Sequence, residues 1–255
     1  MDLQLDGKIA LVSGASAGIG RVTAQTLGRE GVRVVVVARR EAELRALAKE
    51  MVSDGSPEPL VVVDDLGDDG SYDRIAARVL DELGRLDILV NNLGQARPFD
   101  LDTTEDEWDE AFRLNFVTAR RLAKPFIPVM AARKWGRIIN MTATSEPSHV
   151  SGSLTAKAAL LIWSKGLARV VAKDGITVNC VSPGYLLTDQ IRNNFIPTFV
   201  PTEREQQEWL AREIPMGRFG DPSDAANLIT FLASPRAGYI TGQRVYVDGG
   251  WNRHV

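Results

Sequence analysis

Ser153 lies four residues before Lys157 in the stretch SGSLTAKAAL, residues 151–160. On a helix this spacing sets both side chains on one face, one turn apart. A serine hydroxyl beside a neutral lysine amine can act as a nucleophile, because the amine can take its proton. A plainer arrangement has the same spacing: Ser153 caps the helix and Lys157 is solvated on its first turns. Acyl transfer also needs an oxyanion hole and a substrate cleft, and nothing besides the spacing points to them.

A second set of residues bears on nucleotide chemistry. The run KIALVS leads directly into SGASAGIG, which places Ser16, Ile19 and the glycines Gly14, Gly18 and Gly20 between a strand and a helical stretch. Glycines there permit a tight turn and let backbone amides and a helix N-terminus approach a pyrophosphate, so a dinucleotide site is expected. An acidic residue at the end of the second strand would accept the ribose hydroxyls of NAD. The sequence has VVVVARRE instead. Arg39 and Arg40 suit a 2′-phosphate through charge-assisted hydrogen bonds, so NADP is expected over NAD. Two arginines opening a solvated helix would look the same.

These sites need a scaffold, and the chain alternates short β-branched runs with longer amphipathic stretches. The strand candidates are KIALVS, VRVVVVA, PLVVVD, LDILVN, GRIINM, ITVNCVS and QRVYVD. Helical patterns span about 16–29, 41–53, 71–83, 104–133, 153–173 and 222–233, the last with Asp221 as cap before Pro222. The pattern predicts an α/β fold, a Rossmann-like doubly wound parallel sheet of about seven strands with helices on both faces. Residues 186–215, with Phe195, Phe199 and Trp209, interrupt the rhythm and read as a lid or substrate loop in a single domain spanning 1–255.

Composition narrows the function classes. Of the 255 residues, 44% are hydrophobic and 25% charged, and the formal net charge is −3. Nothing in this balance favours a nucleic-acid or anionic-membrane partner. No apolar run reaches the ~18 residues that a membrane span needs. The N-terminus MDLQLDGK lacks the order of a secretory signal. Cys180, the only cysteine, is expected in a buried strand, and a cytoplasmic location fits. No metal-ligand spacing stands out.

With the glycine loop in place, further motifs carry a resemblance. They are DDL at 64–66, NNLG at 91–94, LNF with Asn115, SPGYLLTD at 182–189 and the closing stretch YITGQRVYVDGGW. Along nearly its whole length the sequence resembles the short-chain dehydrogenase/reductase family. The resemblance implies cofactor contacts from Asp65, Leu66, Asn91, Gly94, Lys157, Pro183, Gly184 and Thr188, besides those of Gly14, Gly18, Gly20 and Arg39. It implies a homo-oligomer, dimer or tetramer, formed through helices 104–133 and 153–173. Many NADP-preferring members have a basic residue just before the second loop glycine, where this chain has Ala17.

The resemblance also identifies what is missing. The family places a tyrosine four residues before its lysine and a serine after a strand such as GRIINM. These positions hold Ser153 and Ala143, while Asn115 and Lys157 are retained. An aliphatic hydroxyl is a far weaker acid than a phenol with a pKa of ~10, so Ser153 cannot equal the tyrosine as a proton donor. His149 and Tyr185 are candidates to supply the proton, and Thr142, Thr144 or Ser145 to supply the hydroxyl that Ala143 lacks.

The leading expectation is an NADP-dependent oxidoreductase with a non-standard active site, moving a hydride between nicotinamide and a carbonyl or alcohol substrate. A cofactor-binding protein with a regulatory or assembly role is the first alternative. The second is a family fold turned to a non-redox reaction such as elimination, isomerisation or cyclisation.

Overall fold

The computed structural model describes residues 1–96, 99–144 and 149–253. In chain order the elements begin with β1 (Ile9–Ser13), α1 (Gly18–Arg29), β2 (Arg33–Ala38), α2 (Glu41–Ser53), β3 (Leu60–Val63), α3 (Ser71–Leu83) and β4 (Ile88–Asn91). A broken helical stretch follows: α4 (Glu105–Phe112), a π turn (Arg113–Val117), α5 (Thr118–Ala123) and α6 (Phe126–Ala132). Then come β5 (Gly136–Met141), α7 (Gly152–Val171), β6 (Ile176–Pro183), a second π turn (Ile191–Phe195), α8 (Ile196–Phe199), α9 (Glu203–Glu213), α10 (Pro222–Ala233) and β7 (Arg244–Val247).

The seven strands form one sheet in the order β3-β2-β1-β4-β5-β6-β7, and every neighbouring pair is parallel. Such strands are covered on both faces and therefore read as continuous β-branched runs. One apolar layer packs Leu11, Val35, Leu89 and Val178 against Ile75, Leu122 and Phe126. The opposite layer packs Val12, Val36 and Val90 against Leu27, Leu47 and Ile229. The order reverses direction at β1 and β4, and in open parallel sheets ligands bind at that crevice.

The structure alters three local expectations. The stretch 104–133 is not one helix: it widens into the π turn at Asn115, and Lys124 and Pro125 separate α5 from α6. Proline cannot donate to the preceding turn, so a break there is expected. Residues 186–215 are largely helical, and α9 opens on a capping box between Thr202 and Glu205. The cap of α7 is Ser151, which accepts from the Leu154 amide at 3.3 Å; Ser153 lies inside the helix. Asp221 caps α10 as expected, and Cys180 is buried in β6.

Candidate active site

The turn after β1 and the N-terminus of α1 form one wall of a cleft of about 660 Å³, lined by Gly14, Ser16, Gly18, Ile19, Arg39, Arg40, Asp65, Leu66, Gly94 and Thr188, among others. A Cβ added at Gly20 would lie 2.4 Å from Asn92 Nδ2 and 2.5 Å from the Gly14 carbonyl oxygen. At Gly18, where φ is +55°, it would lie 3.3 Å from Thr188 Cγ2. Larger residues would thus fill the cradle or strain its turn. No side chain caps the start of α1, whose Gly18 and Ile19 line the cleft.

The cleft's arginines flank the loop. Arg40 donates through Nε and Nη2 to Ser16 Oγ at 3.2 and 2.9 Å. Arg39 lies 3.6 Å from Asp65 Oδ2. Asp64 and Asp65 both line the cleft: Asp64 accepts from Arg74 at 3.0 and 2.7 Å, and Asp65 Oδ1 accepts from the Gly67 amide at 2.9 Å.

The two asparagines of NNLG divide the work differently from expectation. Asn91 is buried, and its amide donates to Asn140 Oδ1 at 2.7 Å and toward the Ala119 carbonyl at 3.4 Å. Asn92 lines the cleft and donates to the carbonyls of Ser13 and Gly14 at 3.1 and 3.3 Å, tying β4 to the glycine loop. Gly184 packs against β7, where an added Cβ would lie 2.7 Å from Asp248 Cβ. Pro183 ends β6 beside Val247.

Lys157 is buried, at 8% exposure, and not solvated. Its Nζ donates to the Met141 carbonyl at 2.8 Å and to the Leu93 carbonyl at 3.3 Å, at the open ends of β5 and β4. Burial lowers its pKa to about 8, and the Cys180 sulfur opposes that shift. A methyl on Gly94 would lie 2.9 Å from Asn115 Oδ1 and 3.0 Å from Lys157 Nζ, so both groups stand directly behind that part of the cleft wall. Asn115 sits in the π turn, where it accepts from the Gln95 amide at 3.2 Å and donates to the Gln95 carbonyl at 3.0 Å. The wider turn has its own support, since the Thr118 hydroxyl donates to the Arg113 carbonyl at 2.8 Å. Such single π turns recur at functional sites.

The other candidates have surroundings of their own. Ser153 Oγ is 3.1 Å from Ser151 Oγ and buried. His149 is exposed. Tyr185 lines a different cavity of about 420 Å³, with Leu186, Met216 and Asp248. Its ring centroid lies 4.7 Å from each of Phe195, Trp209 and Trp251. Burial, reinforced by the Glu213 carboxylate, pushes its phenol above the ordinary value. Thr142 Oγ1 is engaged by Ser182 Oγ at 2.6 Å, and Thr144 donates to Asn252 Oδ1 at 2.7 Å. Ser145 lies outside the described residues. No group of three or more metal-ligating side chains occurs among the described residues.

Comparison with known proteins follows this geometry. The family model described as enoyl-(acyl carrier protein) reductase matches residues 14–252. The chain belongs to the short-chain dehydrogenase/reductase family. It is 36% identical over 252 residues to the 3-oxoacyl-[acyl-carrier-protein] reductase FabG of Escherichia coli, covering 97% of this chain and 98% of the relative. The FabG of Aquifex aeolicus is 32% identical, with 98% of this chain and 99% of that one covered. L-sorbose reductase from Gluconobacter frateurii, solved with NADPH and L-sorbose, superposes with a TM-score of 0.94 at 32% identity over the whole of both chains. YwfH, an NADPH-dependent reductase involved in bacilysin biosynthesis, superposes at 0.92 with 28% identity, covering 97% of this chain and 99% of that one. The family membership makes the chain an oxidoreductase by class.

Two features were missed from sequence. Asn92 was hidden because alternation alone does not say which asparagine faces the cleft. Arg244 and Asn252, which touch Ala143 and Thr144 just after β5, are the other feature. Arg244 carried little signal, because β7 is the half-buried edge strand, where a charge is ordinary.

Proposed function

We propose that the protein is an NADP-dependent oxidoreductase acting on a carbonyl or alcohol group of a small molecule, with Lys157 as the proton source in place of a tyrosine. The observation that carries this reading is the buried Lys157 ammonium. Two strand-end carbonyls hold it behind the Gly94 wall of a cleft whose other end carries Arg39 and Arg40. The glycine cradle fits a dinucleotide. Gly14, Ser16, Gly18, Ile19 and the uncapped first turn of α1 would take the pyrophosphate, and Arg39 and Arg40 the 2′-phosphate. Asp65 and Leu66 would meet the adenine, with Gly94 and Thr188 toward the nicotinamide. When bound, NADPH supplies the hydride.

The chain's own part is orientation and proton transfer. Lys157, with a pKa lowered to about 8, is a stronger acid than a free lysine and can donate from Nζ to an oxygen gaining negative charge. Asn115 fixes Gln95 and so the wall next to the reacting carbon. Ser153 contributes at most a hydrogen bond. The aromatic cluster of Phe195, Trp209 and Tyr185 packs beside a separate cavity and so leaves the substrate's character open. The sorbose reductase bound to NADPH and the NADPH-dependent YwfH support the choice of cofactor. A cytoplasmic location is part of this proposal; separately, no helix among the described residues is long and apolar enough to cross a membrane. Ile162 and Val170, 74% and 65% exposed on α7, suit pairing with a second copy.

A second reading follows from Ser153 and Ala143, which leave the site without its usual hydroxyls. It is a cofactor-binding protein that does no redox chemistry. NADPH oxidation across a panel of ketones, aldehydes and diketones separates the two. Turnover supports the reductase. Tight NADPH binding with no turnover on any member supports the binding protein, and product formed without cofactor oxidation supports a non-redox reaction.

A further inference from the structure

A row of polar side chains crosses the sheet under α7 and ends on a charge. Asn91 of β4 pairs in register with Asn140 of β5, Asn140 with Cys180 of β6, and Cys180 with Arg244 of β7. Partners in register on parallel strands point to the same face, which here is the face of Lys157 and Ser164. Arg244 is half-buried on the edge strand, and its guanidinium is engaged on several sides. Its guanidinium lies 4.4 Å from the Tyr246 ring centroid, Nε donates to Ser182 Oγ at 2.8 Å, and Nη2 donates to the Ala143 carbonyl.

Arginine only donates, so Ser182 accepts from Arg244. Ser182 Oγ lies 2.6 Å from Thr142 Oγ1, a contact in which either hydroxyl can donate, and Thr142 Oγ1 reaches the Val181 carbonyl at 3.3 Å. A chain of hydrogen bonds therefore runs from Arg244 through Ser182 to Thr142. Next in sequence, Thr144 is held by Asn252, whose backbone and side-chain nitrogens donate to Asp248 Oδ2 at 3.0 and 2.6 Å. Three consecutive residues at the end of β5 are thus tied to β6, β7 or the C-terminal segment. The middle one is Ala143, at the position where the family pattern has its serine.

We infer that Arg244 is a positioning residue for the substrate end of the cleft, holding residues 142–144, with help from Asn252, in the place that the reacting carbonyl requires. Lys157 donates to Met141, one residue before this segment, so displacement of the strand end would also displace the ammonium. The kinetic part of this inference rests on the oxidoreductase reading; the structural part does not.

The test compares Arg244→Met, which keeps an apolar stem and removes every donor, with Arg244→Lys, which keeps a charge and a donor. The probe reaction is NADPH oxidation with whichever member of a ketone, aldehyde and diketone panel the unaltered protein turns over fastest. Arg244→Met should lower kcat/KM for the carbonyl by about 10- to 100-fold, as small misplacements do, while the KM for NADPH stays within about two-fold. Arg244→Lys should recover part of the loss. Amide hydrogen exchange should accelerate at residues 141–144 in Arg244→Met and stay unchanged in β1 and β2. Should Arg244→Met not fold, Asn252→Ala loosens the same segment from the C-terminal side and should accelerate exchange at Thr144. Unchanged carbonyl kinetics with unchanged exchange at 141–144 overturns the inference, as does a loss spread equally over NADPH affinity and thermal stability. If the unaltered protein turns over no carbonyl, the reductase reading fails by itself. The exchange comparison still decides Arg244, supporting it if exchange quickens at 141–144 and rejecting it otherwise.

Discussion

The two ends of the cleft are specified by different physics. At the nucleotide end the requirement falls on the backbone, since an added methyl at Gly20 would lie 2.4 Å from Asn92 Nδ2 and 2.5 Å from the Gly14 carbonyl oxygen, inside van der Waals contact. At the substrate end the requirement falls on side-chain chemistry. There Ser153 and Ala143 fit without disturbing the fold, and Ser153 gains a partner in Ser151. A backbone constraint resists change because any side chain breaks it. A catalytic hydroxyl can be exchanged while helix, strand and lysine all stay in place.

If Lys157 is the group that the substrate end retains, its removal has the largest effect. Lys157→Met should lower turnover of any carbonyl substrate by roughly 10²–10⁴-fold, as loss of a general acid does, measured as NADPH oxidation at saturating cofactor. A variant with full activity would break the contrast between the two ends.

The reverse change sharpens it. Ala143→Ser with Ser153→Tyr places the family's hydroxyl and phenol on a scaffold that already holds Asn115 and Lys157. Turnover should rise by roughly 10²-fold or more, less than the sum of the separate losses because such groups act together. No gain would mean that this end has been reshaped beyond its two missing groups.

At the nucleotide end, Arg40→Ala should weaken NADPH binding about 10- to 100-fold, the range for loss of a charge-assisted contact, and leave NADH binding unchanged. Fluorescence titration of both cofactors checks this. Equal weakening of both would assign Arg40 to loop structure through Ser16 and not to the 2′-phosphate.

The smallest effect is on stability. The folded pKa of Lys157, about 8, lies below its ordinary 10.5, so across this interval the unfolded chain holds the extra proton. Its contribution to stability therefore rises with pH between these values and is flat below the lower one. Urea unfolding at about pH 7 and about pH 10 should show the unaltered protein gaining relative to Lys157→Met at the higher pH. A constant difference would place Lys157 in a wetter setting than its contacts with Leu93 and Met141 describe.

Much of the fold was legible because parallel buried strands advertise themselves as β-branched runs, and all seven runs became strands. The break in 104–133 was partly legible in Pro125. The π turn was not, because one extra residue in a turn leaves hydrophobic periodicity nearly unchanged. The capping box of Thr202 and Glu205 stood in the sequence, but the neighbouring prolines and aromatics drew the reading toward a loop. At the site, glycines were readable since their absence of a side chain is the signal. The partners of Lys157 were not, because they are main-chain carbonyls that any residue provides. The cap of α7 was placed two residues late for a related reason: Ser151 and Ser153 are both good caps, and only the backbone chooses between them.

The most direct test of Lys157 as the proton source is the pH dependence of kcat for carbonyl reduction by the unaltered protein at saturating NADPH. The account predicts a single alkaline limb near pH 8, where burial sets the lysine, and no displacement of that limb in His149→Gln or Tyr185→Phe. A rate that stays level through that range, or a limb that moves with either substitution, would contradict it.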